Sequence, residues 1–385
     1  MTTQGVERRP AWRIWLAEAG GACGDLGTLL PHVLGAIAVA GLAPAGVLFG
    51  FGAFLIASGL FYALPIAVQP MKAVSAVMLT EGLGPADIAA TGLLLGAILL
   101  ALGASGAMGR LARLVPQSVT AGLQLGLGFS MALLGLSLMG DAPWFGAATL
   151  AAVFLLLRIP GCPAAPLALV GALVVGQAID IGAPLPVLAA GLYLPPLILP
   201  DAAAMWQALH LAVLPQLALT VTNAVILTAA LARDLFPDRA ARAGVGNLAL
   251  TTGLGNLVLA SFGAFPMCHG AGGLQAQARF GACTGLAPIL LGAALLLLGL
   301  FFAPAAAGLL AAVPAAAIGA LLIFAGVDLA VSRRLFDARP ACWPVIGVTA
   351  GVSLLADPAM GLAAGWTLEL VQRPLARLLR RMRRG

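Results

Sequence analysis

Hydrophobic blocks of membrane-spanning length recur along almost the whole chain, from about Trp15 to about Val371. A helix must run for roughly 20 residues to cross the hydrocarbon core of a bilayer, and these blocks meet that requirement repeatedly. The composition agrees, because 61% of the 385 residues are hydrophobic, 9% are charged and the mean hydropathy is +1.05. No stretch is left that is long enough for a soluble domain. The sequence therefore predicts an all-α polytopic membrane protein with a single membrane domain over residues 1–385.

The arginines indicate how often the chain crosses the membrane. If it has about fourteen segments, every arginine falls on one side. The opposite loops carry only acidic charges, Asp87, Asp141, Asp180, Asp201 and Asp357. By the positive-inside rule the arginine side is the cytoplasm, so we predict two cytoplasmic termini and an inner (plasma) membrane location. The predicted segments are 14–40, 42–64, 69–81, 85–106, 115–139, 144–158, 164–180, 209–232, 242–262, 267–280, 284–303, 308–330, 342–356 and 359–373.

Segments 3 and 10 are too short to span the bilayer, and they occupy matching places in two similar halves. Segment 3 follows Pro70 and segment 10 follows Pro266, and the proline of a Val-Pro pair lies 46 residues after the first and 48 after the second. Seven segments per half is an odd number, so the second copy, 209–373, enters from the side opposite to the first, 14–180. We predict a 7+7 inverted repeat with two half-helices; the alternative is chance similarity in a sequence rich in Gly, Ala and Leu.

The starts of the two half-helices carry the residues that we predict to bind an anion. A helix that begins inside the membrane leaves unpaired backbone N–H groups and a partial positive charge facing a cavity, and two such ends form an anion cradle. Lys72, the only lysine in the chain, adds a full charge. Glycines allow a ligand to approach the backbone closely. The predicted substrate-binding residues here are Gln69, Met71, Lys72, Ser75, Cys268, His269, Gly270, Ala271 and Gly272.

Other roles for these charged and titratable residues remain open. Lys72 could snorkel to an interface, or it could pair with a buried carboxylate such as Asp25 without touching a substrate. His269 could be a structural histidine whose hydrogen bonds are satisfied. Asp25, midway along segment 1, is either the partner of Lys72 or a proton carrier. Asp25 and His269 are therefore the predicted proton-coupling candidates.

Segment 8 carries a polar stripe. Gln216, Thr220 and Asn223 are spaced i, i+4 and i+7, so they share one face of a helix, and in a membrane that face must point inward. We add these three residues to the predicted substrate site, with hydrogen bonding between helices as the alternative. Gln124 in segment 5 lies near a cytoplasmic end and is predicted to serve packing or gating.

The sequence gives no support for an enzyme, a metal site or a nucleic-acid partner. The formal net charge of +6 comes from arginines in short loops and at the C-terminal end, which the membrane topology explains. The five cysteines show no Cys-x-x-Cys spacing, and G-x-S-x-G, P-loop and H-E-x-x-H motifs are absent. We therefore predict no catalytic residue, no metal and no cofactor.

Four strings of residues are distinctive: Gly24-Asp-Leu-Gly-Thr28, Val68-Gln-Pro-Met-Lys72, Pro215-Gln-Leu with Asn223, and Phe262-Gly-Ala-Phe-Pro-Met-Cys-His-Gly-Ala-Gly-Gly273. Together they resemble the molybdate transporter family, which is related to the sulfate permeases (SulP). The resemblance implies the seven-plus-seven repeat shared with sulfate and uracil permeases, in which a core domain (segments 1–4 and 8–11) moves against a gate domain (segments 5–7 and 12–14). Sulfate permeases usually carry a cytoplasmic regulatory domain after the last helix, and we expect no such C-terminal domain here. A second departure is Cys283, where relatives are expected to carry arginine.

Residues and resemblance together predict a secondary-active importer of a tetrahedral oxyanion, molybdate first, that works by alternating access. A dianion entering a cell that is negative inside is opposed by about 2.3 kcal/mol per charge per 100 mV, so anion symport with protons is expected. One alternative is a broader oxyanion permease that carries sulfate or tungstate. Another is a nucleobase permease, although segment 8 lacks the carboxylate that would be expected to bind the ring N–H groups of a nucleobase. A membrane enzyme or receptor is the alternative from a different class. Relatives of this fold often dimerise, so a homodimer is expected.

Overall fold

The computed structural model describes residues 11–114, 116–159, 164–331 and 333–382. They form mainly α-helices, together with two short strands. The α-helices are α1 (Ala11–Leu34), α2 (Pro44–Tyr62), α3 (Lys72–Glu81), α4 (Pro85–Ala104), α5 (Met108–Leu114), α6 (Gln117–Leu138), α7 (Pro143–Leu156), α8 (Ala164–Ala178), α9 (Ala202–Ala208), α10 (Leu214–Leu219), α11 (Thr228–Leu235), α12 (Val245–Leu259), α13 (Ala271–Arg279), α14 (Leu286–Phe301), α15 (Ala303–Ala311), α16 (Ala315–Ala330), α17 (Arg333–Phe336), α18 (Trp343–Leu355) and α19 (Pro358–Met382). Stretches of π-helix occupy Gly35–Val39, Leu209–Val213 and Thr220–Leu227, and 3-10 turns occupy Ala240–Arg242, Ala260–Phe262 and Pro340–Cys342.

Five helices in the described part of the chain are long and apolar enough to cross a membrane, or up to seven if each of two bent pairs is one span. The longest runs unbroken from Ala202 to Leu235 through two π-helical stretches. Shorter apolar helices accompany them, among them α7, α8 and α16. The polytopic helical class is thus confirmed, whereas the count of fourteen segments remains a prediction. Predicted segment 12 (308–330) is interrupted, because α15 ends at Ala311 and α16 begins after Pro314.

Glycines allow three pairs of helices to pack backbone against backbone: α2 with α14, α4 with α12, and α6 with α16. A Cβ on Gly135 of α6 would lie only 2.5 Å from the carbonyl oxygen of Gly319 in α16, and a Cβ on Gly253 of α12 would lie 2.5 Å from the backbone nitrogen of Leu100 in α4. Lipid tails are as apolar as leucine, so helices in a bilayer associate through such close van der Waals contact.

Two three-residue strands each precede a short helix. β1 (Val68–Pro70) pairs antiparallel with β2 (Met267–His269), and Gln69 lies opposite Cys268. The helices that follow, α3 and α13, have 10 and 9 residues. At a rise of 1.5 Å per residue neither can cross a hydrocarbon core about 30 Å thick. Segments 3 and 10 are therefore short helices, as predicted. The β1–β2 ladder in front of them pairs backbone N–H and C=O groups that could find no hydrogen-bond partner in lipid.

A buried glutamate of α1 caps the N-terminus of α14. Glu18 of α1 is fully buried, and its Oε1 accepts hydrogen bonds from the backbone N–H groups of Cys283 and Thr284, both at 2.9 Å. Its Oε2 accepts from the backbone N–H of Ala287 at 3.1 Å. A carboxylate stabilises a helix N-terminus both by pairing free N–H groups and by opposing the helix dipole. Cys283, where the resemblance leads us to expect arginine, thus contributes its backbone to a carboxylate.

Candidate functional site

A cavity of about 640 Å³ lies among α1, α3, α6, the Ala202–Leu235 helix, α13 and α16. Part of its wall is apolar, and a limited set of polar groups converges on it, as is typical of sites for small ligands. Lys72 and Asp328 are the two charged residues in the described lining. The polar lining residues are Thr28, Gln69, Lys72, Gln124, Gln216, Thr220, Cys268, Gln275 and Asp328.

The start of α3 borders the cavity, and the side chain of Gln216 caps it. Lys72 is the first residue of α3, after Met71 in extended conformation. The Oε1 of Gln216 accepts from the backbone N–H groups of Ala73 at 3.0 Å and Val74 at 3.3 Å. Its Nε2 donates to the hydroxyl of Thr220 at 2.8 Å. Two predicted site residues of segment 8 are therefore brought to the half-helix, and there they already pair its backbone.

Among the described residues, no side chain caps the start of α13 as Gln216 caps α3. Gly270 precedes the helix in extended conformation and makes no side-chain capping bond, and Gly270, Ala271 and Gly272 all line the cavity. A Cβ on Gly270 would clash with the side-chain amide of Gln69, so a larger residue there would displace Gln69 from the cavity wall. A Cβ on Gly272 would meet nothing within 4 Å, so this position opens onto space. The first turn of α13 therefore presents N–H groups and the positive end of a helix dipole to the cavity.

Lys72 forms an ion pair with a carboxylate that the sequence analysis does not include. The Nζ of Lys72 donates to the Oδ2 of Asp328 in α16 at 2.5 Å. The two side chains are 30% and 52% exposed, and both line the cavity. Lys72 therefore pairs with Asp328 and not with Asp25.

Asp25 lies behind the cavity wall, fully buried in α1. Its Oδ1 accepts from the Nε2 of Gln69 at 2.6 Å. Its Oδ2 has no hydrogen-bond partner among the described residues. Gly273 makes room for this pair, since a Cβ there would lie 2.6 Å from the Oδ1 of Asp25. Asp25 is thus one hydrogen bond away from a residue that faces the cavity.

His269 lies outside the cavity lining, although its neighbour Cys268 lines it. The His269 Nδ1 lies 3.2 Å from the carbonyl oxygen of Ala67, to which it donates, and the Nε2 lies 2.8 Å from the hydroxyl of Thr251. The rings of Phe54 and Tyr62 pack edge-on against the imidazole, with centroids 5.2 and 5.3 Å away. Successive side chains of a strand point to opposite faces, and β2 therefore separates Cys268 from His269.

Three more predicted site residues have other surroundings. Met71 is fully buried and donates its backbone N–H to the carbonyl oxygen of Pro266 at 3.0 Å. Ser75 is fully buried, and its hydroxyl lies 2.8 Å from the Nδ1 of His32. The side chain of Asn223 lies outside the described part of the structure.

Four polar lining residues are missing from the predicted site: Thr28, Gln124, Gln275 and Asp328. Gln275 follows Gly272 by three residues on α13, which places it on the same helix face and could have identified it. Thr28 belongs to one of the distinctive strings, and Gln124 was assigned to packing or gating. Asp328 stands two residues before the end of an apolar helix, where a charge normally indicates an interface. Within the described residues, no three His, Cys, Asp or Glu side chains cluster to hold a metal ion.

The fold is that of known membrane transporters. The structure matches the transmembrane domain of a cyanobacterium bicarbonate transporter, BicA, with a TM-score of 0.70 at 18% identity, covering 93% of this chain and 98% of that one. It matches SLC26A9 with a TM-score of 0.68 at 12% identity, covering 95% of this chain and 66% of that one. Fold and cavity together define a polytopic helical membrane protein with an internal polar cavity, built on the same fold as these two structures.

The sequence identifies the family within that class. The profile described as "Molybdate transporter of MFS superfamily" matches residues 17–131 and 208–329, which include Lys72 and Asp328. Molybdate transporters 1 and 2 of Arabidopsis thaliana are each 32% identical, over 94% and 92% of this chain and 89% and 87% of their own length. Molybdate transporter 1 of Chlamydomonas reinhardtii is 30% identical over 84% of this chain and 85% of its own. The chain belongs to the molybdate transporter family, which confirms the resemblance of its motifs. Its relatives are transporters and not enzymes, as predicted.

Proposed function

We propose that this protein is a secondary-active importer of tetrahedral oxyanions, with molybdate as its main substrate. The observation that carries the proposal is that Lys72 and the uncapped start of α13 converge on one cavity. A lysine ammonium and a helix N-terminus both favour an anion, and the hydrogen bonds they donate to one are charge-assisted. The relatives named as molybdate transporters support molybdate as the anion.

The bound anion would lie between Lys72 and the first turn of α13. Backbone N–H groups of that turn would bind one side of the oxyanion, and the Lys72 ammonium the other. The remaining wall is formed by Gln69, Cys268, Gln216 and Thr220. The predicted site residues outside the cavity lining, Met71, Ser75 and His269, would hold the wall in position through their buried contacts. Asn223 stays in the proposal as a residue of the same face of segment 8.

Helix packing supports a seven-plus-seven inverted repeat of residues 14–180 and 209–373. In such a repeat each segment of the first half corresponds to the segment seven places later, so segments 2 and 4 correspond to segments 9 and 11. The α2–α14 contact (segments 2 and 11) then corresponds to the α12–α4 contact (segments 9 and 4). The β1–β2 pair and the α6–α16 pair each join two segments that correspond to each other in the two halves. All four contacts are present. Such a pattern is expected of two copies related by a twofold pseudo-axis.

Alternating access would follow from movement of a core domain (segments 1–4 and 8–11) against a gate domain (segments 5–7 and 12–14). The composition of the cavity wall supports this division. Thr28, Lys72, Thr220 and Gly272 come from proposed core segments, whereas Gln124 and Asp328 come from proposed gate segments. A site between two moving bodies can be opened to either side of the membrane in turn.

Proton symport would drive import against the membrane potential. Asp25 is the main coupling candidate, because it is fully buried, has one carboxylate oxygen without a partner among the described residues, and bonds to Gln69 in the cavity wall. His269 is the second candidate, and its ring reaches Thr251 rather than the cavity. The arginine distribution supports the plasma (inner) membrane as the location, with two cytoplasmic termini. A homodimer belongs to the proposal by analogy with relatives of this fold.

The experiment is calorimetry on the purified protein, with molybdate against sulfate at two pH values. We expect molybdate to bind and Lys72→Ala to weaken binding by about tenfold or more, because a hydrogen bond to a charged group is worth about 1.5–3 kcal/mol. Arg110→Ala is the matched control, since it removes an exposed cation outside the cavity lining. If sulfate competes equally well, the proposed substrate is a broader class of oxyanions rather than molybdate in particular. Absence of binding of either anion by the wild type would refute the proposal.

A further inference from the structure

We propose that Asp328 is a tethered anion that occupies the oxyanion site of the empty carrier, and that substrate binds by displacing this carboxylate from Lys72. The inference deepens the proposed function and rests on it, because it assigns a further residue to the same site. It concerns how the site is filled when no substrate is present. Asp328 would be a positioning residue, since it acts through Lys72.

The contact between the two residues is direct. The Nζ of Lys72 donates to the Oδ2 of Asp328 at 2.5 Å, and both side chains belong to the cavity wall. The ammonium is the one fixed positive charge in the described lining, so an oxyanion that binds there must compete with the carboxylate. A carboxylate and an oxyanion accept hydrogen bonds from an ammonium in the same way. Two anions on one ammonium would also repel each other, which favours release of the carboxylate when the oxyanion binds.

The position of Asp328 in its helix is unfavourable for a carboxylate unless a cation such as Lys72 pairs with it. Asp328 lies in the last turn of α16, which ends at Ala330, and that turn contains no basic residue. The C-terminal end of a helix carries a partial negative charge, which disfavours an acidic side chain. Within the described contacts of this carboxylate, Lys72 is the group that offsets the unfavourable position.

The ion pair is accessible to a competitor. With 30% of the Lys72 side chain and 52% of the Asp328 side chain exposed, water and small ions reach both groups. Pairs exposed to this degree are weak, and their free energy is within the range that a bound ligand can overcome. Once displaced, the Asp328 carboxylate can turn into the water of the cavity. The pair also joins α3 to α16, so its loss would release one link between the two halves of the cavity wall.

Calorimetry on Asp328→Asn tests the competition. The variant keeps the size of the side chain and removes its charge, so molybdate should bind about fivefold more tightly than to the wild type. Asp328→Glu keeps a carboxylate and should stay close to the wild type. Asp141→Asn, which removes an exposed acid outside the cavity lining, is the matched control and should change nothing. An unchanged or lower affinity in a folded Asp328→Asn protein would overturn the proposal.

A second measurement separates displacement from simple charge repulsion, because both would raise the affinity of Asp328→Asn. Lys72 is the only lysine in the chain, so ¹⁵N-lysine labelling gives a single side-chain signal in NMR spectra. Without substrate, wild type and Asp328→Asn should give different Lys72 signals. At saturating molybdate the two signals should coincide, since Asp328 no longer touches Lys72.

The outcomes distinguish the inference from the function on which it rests. Signals that stay different at saturation would show that Asp328 remains on Lys72 beside the anion, and this would overturn displacement while leaving oxyanion binding intact. A wild-type signal that responds to no oxyanion, together with no heat of binding, would instead refute the proposed function.

Discussion

Replacing Gly273 by alanine perturbs the buried pair of Asp25 and Gln69 directly. A Cβ at position 273 would lie 2.5 Å from the Cβ of Ala67, 2.6 Å from the Oδ1 of Asp25 and 2.7 Å from the Nε2 of Gln69. Close-packed interiors do not tolerate such contacts, and Ala67 has no flexible end that could move aside. The pair itself is held at 2.6 Å, so the added methyl group must force Gln69 away from Asp25.

The expected loss of stability is about 3 kcal/mol. A lost hydrogen bond to a charged group costs about 1.5–3 kcal/mol, and overpacking a well-filled site costs about 1–3 kcal/mol. Against these costs, alanine is favoured over glycine in a helix by about 1 kcal/mol. The net free energy of unfolding should therefore fall by about 1.5–5 kcal/mol.

Thermal unfolding in detergent provides the assay, with Gly272→Ala as the matched control. The control makes the same chemical change in the same helical turn, but its Cβ would meet nothing within 4 Å. We expect Gly272→Ala to unfold at or above the wild-type temperature and Gly273→Ala to unfold well below it. Equal unfolding temperatures for the two variants would refute the reasoning, because the contacts around position 273 are the difference between them.

Two further predictions concern residues of the site. Gln216→Leu removes the acceptor for the N–H groups of Ala73 and Val74, so we expect the free energy of unfolding to fall by about 2 kcal/mol. Gln216→Glu keeps the acceptor and should lower it by less. Equal losses of stability in the two variants would contradict the capping role. Under the proposed proton symport, an inward proton gradient should increase molybdate uptake into proteoliposomes. Asp25→Asn should retain molybdate binding in calorimetry but lose that increase. If that increase persists, Asp25 is not the proton carrier and His269 becomes the main candidate.

Much of the fold that surrounds the cavity could be predicted from the sequence. The two short helices after Pro70 and Pro266 were predictable, because a Pro-Met pair followed by too few apolar residues for a span is a strong local signal. The start of α6 at Gln117 was predictable from Pro116 before it, because proline is typical of the beginning of a helix. Hydropathy could not show the break between α15 and α16, since both pieces are apolar; the break falls at Ala312–Pro314.

The contacts inside the site could not be predicted in the same way. His269 follows Cys268 directly, and only the β1–β2 pairing makes the two side chains point to opposite faces. The partner of Lys72 lies 256 residues further along the chain, so no local pattern connects them. Gln216 was predictable as an inward-facing residue from its i, i+4 spacing with Thr220. Its bond to the start of α3 depends on the approach of two helices that are distant in sequence.

The amide of Gln216 also bears on the step in which an importer returns without cargo. A helix end stripped of its ligand would leave buried N–H groups unpaired, at about 1–3 kcal/mol each, and that penalty would raise the barrier for reorienting the empty protein. Under the proposed function, Gln216 would act as an internal substitute for a ligand, so that α3 keeps its hydrogen bonds while the empty protein reorients. Part of the attraction that α3 could offer to an anion is thereby given up. Under the proposed function, the gain is a faster turnover, and α13 remains as the end reserved for cargo.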